Sequence, residues 1–340
     1  SVTPKADNHI EFGYAISEYQ PLGKVAKAGE TVIVYVGSDT EKEGTSIPLS
    51  FVATQNHAEW SNWMKAQQLK IGRNEIKIPE IATKENENGG SLYVAWTGPA
   101  NTNAKYSIRV SGGQDIPMLN VSGKTGDARK QAISEYVAAL KDHVSKLNTE
   151  HTAQHTDSAY NERECILNYT DIVMDNMMYS VPATQVLAGI EKQQNPEEAL
   201  AQAIAAMEQE MDLFYQHKGM HKTKTAANDA DRYPKQRLNI RYHQMFAGAF
   251  MYAGGKHIGI EYGSVPDLFS IRPIETNANG TQSAGRLTGW GIAHEIGHVI
   301  NNKHYATAEI TNNYYAILST GNPRADYNKV YDMVTGSGGD

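Results

Sequence analysis

The chain has 340 residues and a net charge of −7, and its charged residues are distributed along its whole length. It contains no run of lysine and arginine, so we expect no nucleic-acid partner. No apolar stretch approaches the roughly 18 residues of a membrane-spanning helix, so we expect no transmembrane segment. The single cysteine, Cys165, excludes an intrachain disulfide and a cysteine-based metal site. The length favours two domains.

The N-terminal part has the pattern of a β-sandwich. Short segments rich in valine, isoleucine, tyrosine and serine follow one another at intervals of roughly 10–15 residues, with turn residues between them. Two of the segments alternate apolar and polar residues, as half-buried strands do. We therefore predict a β-sandwich domain over residues 1–120. The predicted strands lie in ETVIVYVG, IPLSFVAT, NEIKIPEI, SLYVAWTG and KYSIRVSG.

Helical periodicity begins after Met118. In Thr125–His151, apolar residues recur every three or four positions. In Asn195–Gly219, Pro196 occupies the first helical position and a glycine ends the segment. NYTDIVMDNMMYSVPA indicates a loop with one strand, and RLNIRYHQMFAGAF and GGKHIGIEYG indicate strands with bends. The second domain, residues 121–340, is therefore predicted to be mixed and mainly helical, and the fold class is α+β.

The segment GWGIAHEIGHVI contains the pattern H-E-x-x-H, formed by His294, Glu295 and His298. Residues i and i+4 share one face of a helix, so both imidazoles can bind one zinc ion about 2 Å from each. Glu295 is the candidate general base, which takes a proton from the attacking water. The spacing alone is not specific, because two further histidine pairs have it without the glutamate: His151/His155 and His217/His221.

His304 is one candidate for a third ligand. It lies ten residues after His294, which is the spacing of the metzincin pattern H-E-x-x-H-x-x-G-x-x-H. Asn301 occupies the glycine position, and asparagine is the next-best residue for a left-handed turn. Met333 could supply a downstream Met-turn. A metzincin-like protease is thus one interpretation of the site.

Glu309 is the other candidate, eleven residues after the second histidine of the pattern. TAEITNNYYAIL predicts a helix over Ala308–Leu318 with Thr307 as its N-cap, and a ligand in the first turn of a packed helix is held firmly. Asn312 and Asn313 follow Glu309 at i+3 and i+4, where they could orient its carboxylate or contact substrate. The residues alone leave both third ligands open. Thr288 is a candidate N-cap for the helix that carries the histidines.

GWGIAHEIGHVINN and AEITNNYYAIL together resemble the enhancin-like zinc peptidases, family M60 of the gluzincin clan. YTDIVMDNMMYSVPA, GGKHIGIEYGSVP and NPRADYNKVYDM are similar to that family as well, so the resemblance covers about Thr125–Met333. It implies a zincin catalytic domain behind a β-sandwich. It also implies one catalytic zinc ion with Glu295 as the general base and three ligands: His294, His298 and Glu309.

Members of that family cleave mucin-type glycoproteins beside an O-linked glycan. The resemblance therefore implies a bacterial endopeptidase, secreted or at the cell surface, that acts on O-glycosylated proteins. Because the chain ends 31 residues after Glu309, where relatives usually continue with further helices, we expect the catalytic domain to extend further.

Five residues are candidates for substrate binding. Arg324 and Asp326 could clasp sugar hydroxyls, and Asn313 lies beside the metal site. GGKHIGIEYG is expected to be the edge strand along which a peptide lies, with His257 or Tyr262 facing the cleft.

Two other functions remain open from the sequence. One is a metzincin-like or general zinc protease that is indifferent to glycans. The other is a carbohydrate-binding protein in which the sandwich is the working part and the zinc module is degenerate. The intact Glu295 argues against degeneration, because an inactive protein has no need of the base.

Overall fold

The structure, a computed structural model, describes residues 12–55, 63–81, 89–99, 104–154, 159–223, 232–245, 248–281, 285–302 and 306–320. It confirms the α+β class: antiparallel sheets come first, and a mixed sheet covered by helices follows. None of the described helices combines the length and the apolarity that crossing a membrane requires.

Two antiparallel sheets form the N-terminal part. Their strands are β1 (Tyr19–Lys27), β2 (Thr31–Gly37), β3 (Ser46–Thr54), β4 (Met64–Lys70), β5 (Gly72–Lys77), β6 (Gly89–Trp96), β7 (Ser107–Ser111) and β8 (Gln114–Asp115). One sheet has the order β4-β3-β6-β1-β8 and the other the order β5-β2-β7. The five predicted segments all form strands, and the sequence analysis missed β1, β4 and the two-residue strand β8.

The two sheets share one hydrophobic core, which makes them a sandwich as predicted. Val34 of β2 faces inward together with Phe51 of β3 and Leu92 of β6, and all three are buried. Each such side chain stabilises the fold by about 1.5–3 kcal/mol relative to an exposed one. In β2 the buried positions alternate with more exposed ones, because successive side chains of a strand point to opposite faces.

A mixed sheet forms the centre of the second part. Its strands are β9 (Met118–Asn120), β10 (Thr170–Val173), β11 (Met177–Val181), β12 (Leu238–Tyr242), β13 (Met251–Gly254) and β14 (His257–Ile260). Their order is β13-β14-β12-β11-β10-β9. β10–β11 and β13–β14 are antiparallel pairs, and the other neighbours are parallel.

Five α-helices and a 3-10 helix of the described chain accompany this sheet. They are α1 (Gly126–Gln154), α2 (Ala183–Ile190), α3 (Pro196–His217), the 3-10 helix (Tyr262–Phe269), α4 (Trp290–Ile300) and α5 (Asn313–Thr320). α1 and α3 confirm the two predicted long helices. Asn195 caps α3 by accepting a hydrogen bond from the backbone N–H of Glu198.

The segment predicted to be a loop with one strand forms a hairpin of two strands, β10 and β11. Every residue of both strands is buried, so they lack the alternation that identifies a half-buried strand. Asp171 and Ser180 are typical of loops, yet here they lie in the sheet and bond to each other, with the Ser180 hydroxyl donating to Asp171 at 2.7 Å.

The expected edge strand was assigned to the wrong segment. β14, which contains His257, lies inside the sheet between β13 and β12. In the described part of the sheet, the edge is formed by the preceding strand, β13. The sequence analysis made no prediction for Met251–Ala253, which lie between the segments RLNIRYHQMFAGAF and GGKHIGIEYG.

The two parts of the chain meet at a buried arginine. Arg241 of β12 is fully buried and donates to the hydroxyl of Tyr93 in β6 at 3.0 Å. Its guanidinium also lies 4.7 Å from the ring centre of Trp63. A buried charge is costly unless it is paired and hydrogen-bonded, and Arg241 finds these partners in the sandwich part of the chain.

Candidate metal centre

α4 is amphipathic, with one face in the core and one at the candidate site. The core face carries four buried aliphatic side chains: Ile292, Ile296, Val299 and Ile300. The other face carries the H-E-x-x-H residues, all half-buried: His294, Glu295 and His298. The helical spacing therefore places both imidazoles and the carboxylate on one side, as predicted.

α4 begins differently from the prediction. Its N-cap residue is Gly289, at φ 80°, and no side chain caps the helix. Thr288, the predicted cap, instead donates its hydroxyl hydrogen to Oε1 of Glu210 in α3 at 2.8 Å. Glycine adopts a positive φ at little energetic cost, so the chain can turn into α4 at Gly289. The Thr288 hydroxyl is then available to bond Glu210, which is distant in the chain.

Glu309 lies in a turn before α5, and not in the first turn of a helix as predicted. The helix begins at Asn313, and residues 308–312 form turns. Glu309 has φ 62°, a left-handed conformation that costs a non-glycine residue roughly 1–2 kcal/mol. Asn313 Nδ2 donates to the backbone oxygen of Glu309 at 2.9 Å, which helps to hold the turn. Such strain persists where the surrounding structure enforces it, and it concentrates at functional sites.

The three side chains converge on one point. Oε2 of Glu309 lies 3.1 Å from Nε2 of His294, and Oε1 lies 3.1 Å from Nε2 of His298. One ligand atom from each residue lies within 4.8 Å of the others. Two ligands of a tetrahedral metal ion, each about 2 Å from it, are about 3.3 Å apart. These donors therefore have the spacing needed to hold one metal ion. The rival ligand, His304, lies outside the described residues.

α5 packs closely against α4 beside this triad. Oδ1 of Asn313 lies 2.5 Å from Nδ1 of His294, and Nδ2 of Asn312, which is fully buried, lies 3.4 Å from the backbone oxygen of His294. A Cβ atom added to Gly297 would lie 2.5 Å from the backbone oxygen of Asn312. The glycine of HEIGH is thus a contact point between α4 and the turn before α5, which the sequence analysis did not identify.

Burial changes the protonation of the site residues. It raises the pKa of Glu295 to about 7; nearby His294 opposes this rise, and the carboxylate of Glu309 adds to it. The backbone N–H of Ala253, in edge strand β13, bonds to the Glu295 carboxylate and lowers its pKa. Burial lowers the pKa of His298. Neutral imidazole is the form that binds metal.

Only one of the predicted substrate-binding residues has a described contact with the triad. His257 is buried, and its Nε2 lies 2.8 Å from the hydroxyl of Tyr252, while its ring packs against Trp63. Tyr262 is buried as well and bonds to Glu162 and Thr184. The described contacts of these two residues do not include the triad. Asn313 does contact it, and Arg324 and Asp326 lie outside the described residues.

The family profile of Peptidase M60, enhancin and enhancin-like, matches residues 153–333, which is more than half of the chain. The chain belongs to the M60 peptidase family. The matched M60 region contains both H-E-x-x-H histidines, Glu309 and the segment with Arg324. None of the curated proteins compared with the chain matches it.

Solved structures share the M60 fold of this chain. The catalytic module of the metalloprotease ZmpA from Clostridium perfringens has 20% identity and a TM-score of 0.66, covering 89% of this chain and 52% of that one. The M60 catalytic domain of ZmpC from the same organism, in complex with the sialyl T antigen, has 19% identity and a TM-score of 0.66, covering 94% and 55%.

A further metallopeptidase, in complex with Tn antigen, has 18% identity and a TM-score of 0.54, covering 89% of this chain and 46% of that one. At these identities the likeness concerns the fold. The chain spans about half the length of these three M60-like structures.

Proposed function

We propose that this chain is part of a zinc metalloendopeptidase that cleaves O-glycosylated, mucin-type proteins. The observation that carries the proposal is the convergence of His294 and His298 on the two carboxylate oxygens of Glu309, at 3.1 Å each. Membership of a peptidase family supports the reaction class.

Zinc suits this set of donors. Catalytic zinc sites commonly have three protein ligands of nitrogen and oxygen type and keep one position open. The side chains of His294 and His298 are 17% and 15% exposed, whereas that of Glu309 is 70% exposed, so the site is open to solvent on the Glu309 side. When bound, the zinc ion polarises the scissile carbonyl and lowers the pKa of the attacking water toward 7.

Glu295 is the proposed general base. It takes a proton from the attacking water and passes it to the leaving amine, a contribution of roughly 10²–10⁴ in rate. A base works best when its pKa lies near the working pH, and burial raises the pKa of Glu295 to about 7. The backbone N–H of Ala253 holds the carboxylate in place.

Edge strand β13 is the proposed docking strand for the peptide. Because Ala253 of this strand bonds to Glu295, a chain that adds along the same edge would run past the base. An added strand makes main-chain hydrogen bonds, which are independent of sequence, so selectivity must come from pockets beside the strand.

An O-linked glycan is the proposed source of that selectivity. Two similar solved proteins are in complex with O-glycan antigens, sialyl T and Tn, and this supports the same substrate class here. We propose that Arg324 and Asp326, inside the region matched by the family, bond sugar hydroxyls. A site built for such bonds rejects a substrate without them, because its buried polar groups are then left unpaired.

The proposal also includes a domain organisation and a location. A sandwich over residues 1–120 precedes a catalytic domain over residues 121–340, and the change of sheet between Asp115 of β8 and Met118 of β9 supports that boundary. Mucin-type substrates are extracellular, so a secreted or cell-surface location is part of the proposal.

Matched peptides test the function. Zinc-loaded protein is incubated with a threonine-rich peptide that carries one O-linked N-acetylgalactosamine and with the same peptide without the sugar, and products are identified by mass spectrometry. We expect cleavage just before the glycosylated residue and none of the bare peptide. Arg324→Ala should slow only the glycosylated reaction. Equal cleavage of both peptides would leave a general zinc endopeptidase and refute the glycan requirement.

A further inference from the structure

A buried carboxylate lies at the start of the helix that carries the metal-site histidines. Glu210 of α3 is fully buried, and its Oε1 accepts the hydroxyl hydrogen of Thr288 at 2.8 Å. The backbone N–H of Thr288 bonds to the same carboxylate. Burying a carboxyl group is costly unless it is hydrogen-bonded, and both of these donors belong to the residue just before the N-cap of α4.

The end of α5 contacts the same residues at the start of α4. Ser319, a buried residue of that helix, accepts the backbone N–H of Gly289 at 3.1 Å. Its hydroxyl oxygen lies 3.5 Å from that of Thr288 and within reach of the Glu210 carboxylate. One polar cluster therefore joins α3, the start of α4 and the end of α5.

This cluster holds the residues that lead into α4. No side chain caps α4 at Gly289, and the bonds of the cluster go to Thr288 and to the backbone N–H of Gly289, ahead of the first helical residue. The Glu210 carboxyl group therefore connects α3 to the start of α4, at the point where α4 meets the end of α5.

The candidate metal site depends on how α4 and α5 are placed relative to each other. α4 carries His294 and His298, and Glu309 lies in the turn that leads into α5, so the two 3.1 Å distances join two separate elements. A small displacement of one element would open both distances together. Sites of this kind depend on supporting residues that lock their geometry.

We propose that Glu210 is a positioning residue for the metal site, which fixes the start of α4 against the end of α5. The roles of the ligands in this inference rest on the proposed function. The position of α4 relative to α5 can be measured without metal, so this role of Glu210 can be tested on the metal-free protein.

Hydrogen exchange of the metal-free protein provides that test. Glu210→Leu removes the acceptor from the Thr288 donors and should speed exchange in residues 286–300 and 306–320 by about tenfold, because an opened contact exposes the amides of both elements. Glu210→Gln keeps an acceptor oxygen and should restore slow exchange. The matched control is Glu208→Gln, two residues away on α3, whose carboxylate pairs with Arg129 at 2.7 Å.

Binding of Co²⁺, followed by its visible absorption, provides the second readout. Removing an outer partner of a metal site typically weakens metal binding about 10–100-fold. We expect at least about a tenfold weaker Kd for Glu210→Leu and little change for Glu210→Gln or Glu208→Gln. If Glu210→Leu does not fold, Thr288→Val removes the hydroxyl donor alone and decides the question by the same two measurements.

Two results would overturn the proposal: unchanged exchange in both segments, or an increase spread equally over the sandwich strands, which would mean a general loss of stability. Failure of the proposed function looks different. Wild-type protein would then bind Co²⁺ no better than His294→Ala, while the comparison of exchange rates would still decide the role of Glu210.

Discussion

The side-chain oxygen of Asn313 lies 2.5 Å from Nδ1 of His294, on the side of the imidazole away from Glu309. An acceptor at Nδ1 favours the tautomer with its proton there, which leaves Nε2 unprotonated, the form that binds metal. Nδ2 of Asn312 lies 3.1 Å from this Nε2. Asn313 also donates to the backbone oxygen of Glu309 at 2.9 Å. One amide thus orients one proposed ligand and holds the turn of another.

Asn313→Ala should weaken zinc binding about 10–100-fold, because it removes the partner that orients His294. The measurement is a competition titration against a chromophoric chelator. Tyr314→Phe is the matched control, since it changes the next residue of α5 and removes only a hydroxyl, which lies 2.9 Å from Nδ1 of His217. Equal zinc affinity of Asn313→Ala and wild type would show that the contact does not orient the ligand.

Glu295→Gln should retain zinc and the fold while lowering kcat by about 10²–10⁴, because the attacking water loses its proton acceptor. The glutamine has the same shape and can still accept the N–H of Ala253. Turnover is compared at equal zinc content, measured by elemental analysis. Near-normal cleavage by the zinc-loaded variant would end the assignment of Glu295 as the base.

Glu309→Ala and His304→Ala separate the two candidate third ligands. If Glu309 binds the metal, its removal leaves two histidines and most of the zinc affinity is lost, whereas His304→Ala keeps it. Zinc affinity of each purified variant is the measurement, with circular dichroism as the check on folding. The opposite result would indicate a metzincin-like site.

Gly297→Ala should disrupt the packing of α4 against α5. The added methyl group would lie 2.5 Å from the backbone oxygen of Asn312, a distance that requires one element to move. Overpacking of this kind costs typically about 1–3 kcal/mol, and here it also displaces proposed ligands. We expect a lower melting temperature together with weaker zinc binding. Gly255→Ala, at a position with open space around its Cβ, is the control.

Local patterns predicted much of the fold and part of the site. The strands of the sandwich and helices α1 and α3 follow from periodicity and turn residues, which act over a few neighbouring positions. The H-E-x-x-H face of α4 follows from helical spacing in the same way. Glu309 was a candidate because its segment was predicted to form the first turn of a helix, although the residue lies in a left-handed turn before α5.

The features that were missed depend on partners distant in the chain. β10 and β11 are buried on both faces, so no alternation marks them. Thr288 bonds to Glu210, which is 78 positions away, and local sequence suggested only a cap. Position 297 needs a glycine because the backbone of Asn312 lies close to it. A helical sequence pattern gives no sign of such a contact. These contacts form only when α3, α4 and α5 come together.

Glu210 should also give the protein a measurable dependence of stability on pH. Burial raises the pKa of Glu210 to about 7 from its ordinary value of 4.5. The folded protein therefore binds this proton more tightly than the unfolded chain does. The resulting stabilisation is fully present below about pH 4.5 and is lost as the pH rises through about 7. A shift of this size corresponds to about 3 kcal/mol.

Glutamine cannot ionise, so Glu210→Gln should gain stability relative to wild type as the pH rises from about 5 to about 8. The measurement is urea unfolding of both proteins in a chelating buffer, where the titration of the metal-site residues is common to both and cancels in the difference. Glu208→Gln is the matched control, because it makes the same change two residues away on α3, at a side chain that is only partly buried and paired with Arg129. A constant difference between Glu210→Gln and wild type across this range would mean that the Glu210 carboxyl ionises equally readily in the folded and unfolded chains, contrary to its burial among α3, α4 and α5.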